Sequence, residues 1–342
     1  MKEKLRCAVV GLGRIGTLLE EDELREKPCT HAGAIHHNPD TVLVGGCDIN
    51  AQRCRSFSEK WNNTPVFGNV EQLVKSVHPD IVSVATPPET HLSIIELLLQ
   101  TSVRLVICEK PLAPDSDQAM RIARCHEKGM VKIMTNHERR YSKDYLIVQN
   151  HIVTGRFGRL LSISAKVYMG ERRPVLEMML DDGTHLIDML RFLTSSELSD
   201  IRVELLQGNE AQTLLVRCRA NEVPISMDFG SGRDHVVFEL DLSFSAGRIR
   251  IGNGLYEEYK SCESPYYEHM KSLLPTGKPE FDKTGYFSNM LCDAVACVRD
   301  ADREPRGTAV DGYRSIQFID RVKELVAIPC MSISVDSHLC PC

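Results

Sequence analysis

The segment Leu5-Arg-Cys-Ala-Val-Val-Gly-Leu-Gly-Arg-Ile-Gly16 decides the fold of the first half of the chain. Its apolar part, Leu5–Val10, is typical of a buried strand that leads into a glycine-rich loop and then a helix. In such a unit the first glycine permits a tight turn, the second lets the backbone approach a pyrophosphate, and the third lets the helix pack on the strand. The phosphates then lie at the helix N-terminus. The residues predicted to bind a dinucleotide here are Gly11, Gly13, Arg14, Ile15 and Gly16.

The same alternation of strand and helix continues to about residue 135. Near-continuous apolar strands separated by amphipathic helices indicate a parallel sheet that is covered on both faces. We therefore predict an α/β, doubly wound Rossmann domain over residues 1–135. The predicted strands are Leu5–Val10, 42–47, 81–85, 104–108 and Lys132–Thr135, and the predicted helices are 51–61, 91–100 and 116–128.

From residue 136 the pattern changes to strands with few helices between them. This order predicts an α+β domain over residues 136–330, with a large open, mainly antiparallel sheet and helices on one face, followed by a tail, 331–342. The predicted helices are 141–154, Tyr286–Arg299 and 311–325, and the predicted strands are 160–167, 201–206, 213–218, 225–229, 236–242 and 248–251.

An acid, Asp48, follows the second predicted strand. Its carboxylate is expected to bind the adenosine ribose and to repel a 2′-phosphate, which favours NAD over NADP. Arg53 and Arg55 keep NADP open, because an arginine beyond the acid can pair with that phosphate. Asp48 lies 32 residues beyond Gly16, whereas about 20 is usual. Residues 18–29 are therefore predicted to be an insertion, which is a lid, a dimer contact or a solvated loop.

Polar motifs follow the next two long strands. The segment 86–91 reads TPPETH, and 109–111 reads EKP. Ligands of open α/β sheets bind at the carboxyl ends of parallel strands. The further residues predicted to line the cofactor site are Thr86, Pro87, His91, Glu109 and Lys110.

The order of these motifs resembles the Gfo/Idh/MocA family of NAD(P)-dependent sugar and cyclitol dehydrogenases. The resemblance implies that Lys110 projects toward the nicotinamide and the substrate hydroxyl, that the Lys110–Pro111 bond is cis, and that the open sheet associates into homodimers or homotetramers. The stretches that carry it are GLGRIG (11–16), CD (47–48), ATPPETH (85–91), CEKPLA (108–113), NHERRY (136–141), GRFGRL (155–160), DDGTHLIDML (181–190) and DGYRSIQFID (311–320).

The family pattern D-x-x-x-H falls on Asp181 and His185. Hydride transfer from a secondary alcohol needs a base for the hydroxyl proton, and an imidazole suits that task. The predicted catalytic residues are His185 as the base, Lys110 as the group that stabilises charge on oxygen, and Asp181 as an orienting acid. Whether Lys110 or His185 is the base stays open. The structural alternatives are a helix cap at Asp181 or Asp182 and a core position for His185.

Four arginines lie in segments that the resemblance places along the substrate cleft, at Arg139, Arg140, Arg172 and Arg173. They could clamp a phosphate or carboxylate of the substrate, or they could be ordinary solvated pairs. The residues predicted to bind the substrate are Asn136, Arg140, Tyr141, Arg172, Asp181 and His185.

Composition excludes several other classes of protein. A formal net charge of −6 offers no basic surface for nucleic acid. The apolar runs are far shorter than the roughly 20 residues that span a bilayer, so no membrane association is expected. The 13 cysteines are scattered without the spacing of a zinc site, so no metal is expected and reduced thiols of a cytoplasmic protein are favoured. The pair Cys340 and Cys342 could bind metal, oxidise or have no role.

The sequence as a whole predicts an NAD-dependent oxidoreductase. It would transfer hydride between nicotinamide and a ring hydroxyl or ketone of a small molecule, which is a sugar, a nucleotide sugar or a cyclitol. One alternative is a catalytically inactive, cofactor-binding sensor. Another is a reductase of an imine or unsaturated ring, which would tolerate the loss of His185.

Overall fold

The computed structural model describes residues 3–129, 131–170, 172–207, 212–277 and 283–327. Within these ranges the chain forms two units, each built on one β-sheet. The predicted tail, 331–342, with Cys340 and Cys342, lies outside the described residues.

The first unit contains a six-stranded sheet in which all neighbouring strands are parallel. The strand order is β3-β2-β1-β4-β5-β6, so the direction of winding reverses between β1 and β4. In open α/β sheets, ligands bind outside the carboxyl ends of the strands at this switch point. The predicted doubly wound sheet is thereby confirmed. Its strands are β1 (Leu5–Val10), β2 (Thr41–Cys47), β3 (Val66–Phe67), β4 (Ile81–Val84), β5 (Leu105–Cys108) and β6 (Lys132–Thr135).

Helices cover both faces of this sheet. Four of them begin at a polar side chain that accepts backbone amide hydrogens, namely Thr30, Asn50, Asn69 and Asp115. Such caps satisfy donors that have no partner inside the helix. The helices are α1 (His31–His37), α2 (Ala51–Lys60), α3 (Val70–Val77), α4 (His91–Leu98) and α5 (Ser116–Glu127).

The predicted insertion interrupts the first helix. The amide of Thr17 bonds to Gly13 O at 3.0 Å, as in a helical turn that starts at the glycine loop. The chain then leaves the helix and returns, and the amide of Ala32 bonds to Gly16 O at 3.0 Å. In an uninterrupted α-helix the carbonyl of residue 16 is reached by residue 20. Ala32 thus stands where residue 20 would, and the excursion adds about a dozen residues, as the position of Asp48 predicted.

The second unit contains an eight-stranded sheet in the order β14-β13-β12-β11-β7-β10-β9-β8. The β7–β10 pair is parallel and the other neighbours are antiparallel, which confirms the predicted sheet. Its strands are β7 (Leu160–Tyr168), β8 (Leu198–Gln207), β9 (Gln212–Ala220), β10 (Val223–Ser231), β11 (Val237–Phe244), β12 (Gly247–Gly252), β13 (Leu255–Glu263) and β14 (Lys271–Gly277).

Helices of the second unit bury one face of that sheet. Leucines and valines of the strands pack against apolar residues of these helices to form one core. The helices that do so are α6 (Lys143–Thr154), α7 (Val175–Met178), α8 (Thr184–Thr194) and α10 (Ala309–Ala327), and a π-helical turn, Met179–Gly183, joins α7 to α8. The remaining helix, α9 (Tyr286–Arg299), lies between β14 and α10 in sequence.

Two of these helices tie the units together. Phe287, Leu291 and Val295 of α9 belong to the core of the parallel sheet, so α9 packs with the first unit although it follows the second in sequence. On α10, Ile316 packs with the first unit and Ile319 with the second. The cleft between the two sheets is therefore framed by packed helices. Among the described helices, none combines the length and the apolar character needed to cross a membrane.

Candidate active site

Two glycines of the glycine loop allow close backbone packing, and the third leaves open space beside the loop. Gly11 has φ +92°, and a Cβ there would lie 2.5 Å from Ala85 O, so β1 and the end of β4 touch at this point. A Cβ on Gly16 would lie 2.0 Å from Gly11 O. A Cβ on Gly13 would meet only Arg53 Nη1, at 3.8 Å. Gly13 thus leaves the space into which a pyrophosphate would come.

Asp48 is held beside this loop at the end of β2. Its Oδ2 accepts the amide of Leu12 at 2.8 Å, and its Oδ1 accepts the amide of Asn50 at 2.8 Å. The half-exposed guanidinium of Arg53 lies 3.6 Å from Asp48 Oδ2. The structure therefore brings the predicted ribose-binding acid and a competing cation to one place, next to exposed Arg14 and partly buried Ile15.

The predicted cofactor residues after β4 divide into two kinds. Thr86 and Pro87 lie at the strand end beside Gly11. His91 is fully buried, with Nε2 2.8 Å from Thr86 O and Nδ1 3.1 Å from Leu112 O, and its burial lowers its pKa. Because both ring nitrogens face backbone carbonyls, we reassign His91 from cofactor contact to support of the two strand-end loops.

Glu109 is the centre of a buried polar network. Its Oε1 lies 2.7 Å from His31 Nε2 and accepts Asn136 Nδ2 at 2.6 Å, and its Oε2 accepts the Lys110 amide at 3.2 Å. Burial alone would raise the pKa of Glu109, but the bonds from His31 and Asn136 hold it below its usual value. This network fixes the backbone that carries Lys110. No motif of the sequence had pointed to His31.

Lys110 reaches across from β5 to the second unit. The Lys110–Pro111 peptide bond is cis, as the resemblance implies. Its ammonium Nζ donates to Asp181 O at 2.8 Å. Asp181 lies in the π-helical turn that leads into α8, and π-helical turns occur frequently at functional sites. The lysine and the D-x-x-x-H motif therefore meet at one point of the cleft.

The side chain of Asp181 does not face His185. Its carboxylate is 50% exposed and accepts Arg173 Nη1 at 2.6 Å. Arg173 also bonds to the carboxylate of Asp182, so two acids balance its charge. Asp182 is partly buried, which raises its pKa.

His185 lies on the first turn of α8 with its side chain only 11% exposed. Its Nδ1 is 3.5 Å from Glu138 Oε2. Burial lowers the pKa of His185 well below its ordinary value, and the charges of Lys110, Arg139 and His137 lower it further. These surroundings favour the neutral imidazole, which is the form that can accept a proton.

Two predicted substrate residues lie in the interior instead. Arg140 bonds through Nε and Nη2 to both oxygens of Asp188, each at 2.7 Å, and lies 3.0 Å from Asp311. Tyr141 is fully buried, and its hydroxyl accepts the amide of Gly307 at 3.1 Å. We therefore reassign Arg140 and Tyr141 from substrate contact to structural support. Arg172 is exposed.

Buried polar atoms without a hydrogen bond gather around this cleft. In the part of the chain that the structure describes, they include His31 Nδ1, Asn136 Oδ1, Arg173 Nε and His185 Nδ1. Since buried polar groups are almost always bonded, such a concentration indicates a site for a polar ligand. Asn136 thus keeps a free acceptor next to Glu109. Over the same described ranges, no group of three or more His, Cys, Asp or Glu residues is arranged to hold a metal ion.

Comparison with known proteins agrees with this geometry. Residues 5–137 match the family model described as the Gfo/Idh/MocA oxidoreductase family, NAD-binding Rossmann fold. An inositol 2-dehydrogenase of Arthrobacter sp. (strain FB24) is 27% identical over 213 residues, which are 60% of this chain and 58% of that protein. The chain thus matches less than two thirds of that relative's length.

Solved structures resemble the whole chain in fold. A dehydrogenase from Chromobacterium violaceum has a TM-score of 0.79 at 16% identity, covering 95% of both chains. The WlbA dehydrogenase from Bordetella pertussis, in complex with NADH and UDP-GlcNAcA, has a TM-score of 0.71 at 17% identity, covering 94% of this chain and 95% of that one. The resemblance seen in the motifs is thereby confirmed, because residues 5–137 match the NAD-binding Rossmann fold of the Gfo/Idh/MocA oxidoreductase family.

Proposed function

We propose that this protein is a nicotinamide-dependent dehydrogenase that interconverts a ring hydroxyl and the corresponding ketone of a cyclitol or sugar. The observation that carries the proposal is the bond of 2.8 Å from Lys110 Nζ to Asp181 O. It brings an ammonium from the first unit to the helix entrance that carries the unprotonated His185 of the second. The relative named inositol 2-dehydrogenase supports the substrate class.

The residues of the first unit fit a dinucleotide. The Gly11–Gly16 loop would hold the pyrophosphate, Asp48 would bind the adenosine ribose, and Thr86 and Pro87 would line the site beyond them. When bound, the nicotinamide would supply the hydride acceptor. We propose NAD as the preferred cofactor because Asp48 is fixed by two backbone amides and presents its charge where a 2′-phosphate would lie.

The residues of the cleft have different roles in the proposed reaction. His185 accepts the hydroxyl proton, because its lowered pKa keeps it neutral at physiological pH. The Lys110 ammonium stabilises the negative charge that develops on the same oxygen. Asp181 positions Lys110 through its carbonyl and presents its half-exposed carboxylate to a second substrate hydroxyl. Asn136 Oδ1, buried and unbonded among the described residues, accepts a hydrogen bond from the ligand.

A neutral polyol fits this cleft better than an anionic sugar. Arg173 already bonds to the carboxylates of Asp181 and Asp182. Arg140 is buried against Asp188. A clamp for a phosphate or carboxylate that uses Arg140 or Arg173 would therefore have to break existing ion pairs, at a cost that a neutral ring hydroxyl does not incur.

A substrate panel tests this function. Myo-inositol, D-glucose and UDP-N-acetylglucosamine are each supplied with NAD or NADP, and reduced nicotinamide is followed by its absorbance. We expect turnover of myo-inositol with NAD. Tight binding of NAD without turnover of any of these compounds would contradict the proposal and favour a cofactor-binding sensor.

We also propose that the chain forms a homodimer or homotetramer through the outer face of the eight-stranded sheet. This face carries ion pairs such as Arg248–Asp241 and Arg250–Glu239, and has a concavity of about 440 Å³. Sedimentation equilibrium tests the assembly. A monomer at micromolar concentration would contradict it.

A further inference from the structure

Glu138 faces the imidazole of His185 from the segment that follows β6. Its Oε2 lies 3.5 Å from His185 Nδ1, and the two side chains are 23% and 11% exposed. In the described part of the chain, Nδ1 of His185 has no hydrogen bond, although it is buried. Catalytic hydrogen bonds are often long before the substrate binds and tighten afterwards. The pair therefore has the placement of a base and its orienting acid.

The other acids near His185 are already engaged. The carboxylate of Asp181 bonds to Arg173, and Asp181 reaches Lys110 only through its backbone carbonyl. Asp188, one helical turn beyond His185, bonds to Arg140 and lies 2.6 Å from His137 Nδ1. Glu138 is thus the acid whose position matches the buried ring nitrogen.

We propose that Glu138 is a positioning residue that holds His185 with its proton on Nδ1. The lone pair of Nε2 then faces the cleft and takes the hydroxyl proton. This inference rests on the proposed function. In the oxidation, the O–H proton passes to Nε2, the C–H bonding pair leaves as hydride to the oxidised nicotinamide dinucleotide, and the C–O single bond becomes a carbonyl. Glu138 keeps its charge beside the imidazolium, and the proton passes later to water.

The charges around His185 explain why such a partner is needed. Lys110 from the end of β5, and Arg139 and His137 from the segment after β6, all oppose a positive imidazole. Without a nearby carboxylate, proton transfer to His185 would place one more charge among cations in a buried site. Glu138 offsets that charge. Burial raises the pKa of Glu138 above its ordinary value, and the charges of Arg139 and Lys110 limit that rise.

The wild-type tautomer tests the inference without any substrate. Long-range proton–nitrogen correlation spectra of the full chain, labelled with nitrogen-15 in histidine, show which ring nitrogen carries the proton. The His185 signals are assigned as those lost in His185→Gln. We expect His185 to be neutral at pH 7 with its proton on Nδ1. A proton on Nε2 would overturn the inference.

Variants of Glu138 test its effect on the base. With myo-inositol and NAD, we expect Glu138→Gln to lower kcat at least about 10-fold, with NAD affinity unchanged and the pKa of His185 lowered. Glu138→Asp should recover part of the loss. The matched control is Glu304→Gln, because Glu304 lies 3.4 Å from His126 in a similar pair away from the cleft. An unchanged kcat and an unchanged His185 pKa in Glu138→Gln would contradict the inference.

The two proposals fail in different ways. If His185 carries its proton on Nδ1 but no polyol is oxidised, the function fails and the Glu138–His185 pair stands. If myo-inositol is oxidised while His185 carries its proton on Nε2, the function stands and the pair fails.

Discussion

Glu26 Oε1 accepts the amide of Gly285 at 2.6 Å, although 259 positions separate the two residues. The other carboxylate oxygen accepts the amide and the hydroxyl of Thr284, at 2.8 and 2.9 Å. Gly285 is the residue before α9, and it offers no side-chain cap of its own. The insertion therefore binds the turn that leads into a distant helix, and it packs against the rest of the fold.

Removing this contact should destabilise the protein without changing its chemistry. We expect Glu26→Ala to lower the free energy of unfolding by about 1–2 kcal/mol, because three donors in the turn just before α9 lose their acceptor. Urea denaturation measures the change. Glu23→Ala is the control, since Glu23 is an exposed residue of the same insertion. Equal stability of the two variants would show that the contact contributes nothing.

The glycines of the phosphate loop should separate fold from binding. We expect Gly11→Ala to cost at least about 2 kcal/mol of stability. The backbone at this position has a positive φ, and a Cβ there would collide with backbone atoms of Ala85 and Thr86. Gly13→Ala should leave stability within about 0.5 kcal/mol, since the nearest atom is 3.8 Å away. It should nevertheless weaken NAD binding about 10-fold or more, because its methyl group occupies the space for the pyrophosphate.

Thermal unfolding and NAD titration of the same two variants make the measurement. Loss of NAD affinity in a stable Gly13→Ala protein is the expected result. Full NAD affinity in that variant would show that the pyrophosphate does not bind at this loop.

The buried carboxylate of Asp188 should contribute a stability that depends on pH. Burial alone would raise the pKa of Asp188, but the charges of Arg140 and His137 outweigh it and hold the pKa well below its usual range. Such a group stabilises the fold above its unfolded pKa, about 3.9, and this contribution is lost as the pH falls through the folded pKa. We expect Asp188→Asn to cost about 3 kcal/mol at pH 7, because Arg140 loses the more closely bound of its two ionic partners and keeps only Asp311.

Urea denaturation of wild type and Asp188→Asn between pH 3 and pH 7 checks this dependence. The difference in stability should be constant from pH 5 to pH 7 and should narrow below about pH 4. A difference that stays constant down to pH 3 would mean that the carboxylate charge is not what holds Arg140.

Cofactor preference should depend on Asp48 and Arg53. We expect Asp48→Asn to weaken NAD binding and Arg53→Ala to weaken NADP binding, because the first removes a ribose acceptor and the second a phosphate partner. Fluorescence titration with NADH and NADPH gives both affinities. Arg55→Ala serves as the control, because Arg55 bonds to Gln52 on the surface of α2. A variant Arg53→Ala that binds both cofactors as wild type does would exclude a role in selection.

Local sequence patterns predicted the elements whose bounds depend on residues that are close in sequence. The strand Leu5–Val10 has the predicted bounds, because an apolar run directly before a glycine-rich loop is typical of a buried strand. Motifs at a strand end and a helix start also singled out Lys110 and His185, and the structure brings Lys110 to the turn that leads to His185; their catalytic roles stay predictions. The pairing of β13 with β14 was not predicted, because apolar and polar residues alternate only weakly in these two strands. Their strand structure depends on the hydrogen bonds between them.

Side-chain direction was the part that local patterns could not give. Arg140 and Tyr141 belong to a polar stretch typical of a cleft, yet contacts with Asp188 and Gly307 turn them inward. The position of His31 in the sequence could have indicated that it lies near the site. With the insertion removed, it would follow Gly16 by three positions, close to the phosphate loop. Its bond to Glu109 joins residues 78 positions apart, which no local pattern reports.

We infer that Lys110 and His185 act on one hydroxyl oxygen beside a bound nicotinamide. The decisive experiment measures kcat and NAD affinity together in Lys110→Met and His185→Gln, with myo-inositol as the substrate. We expect each variant to lose at least about 100-fold in kcat while it binds NAD as wild type does. Near-normal turnover in either variant would show that its side chain does not act on the substrate oxygen.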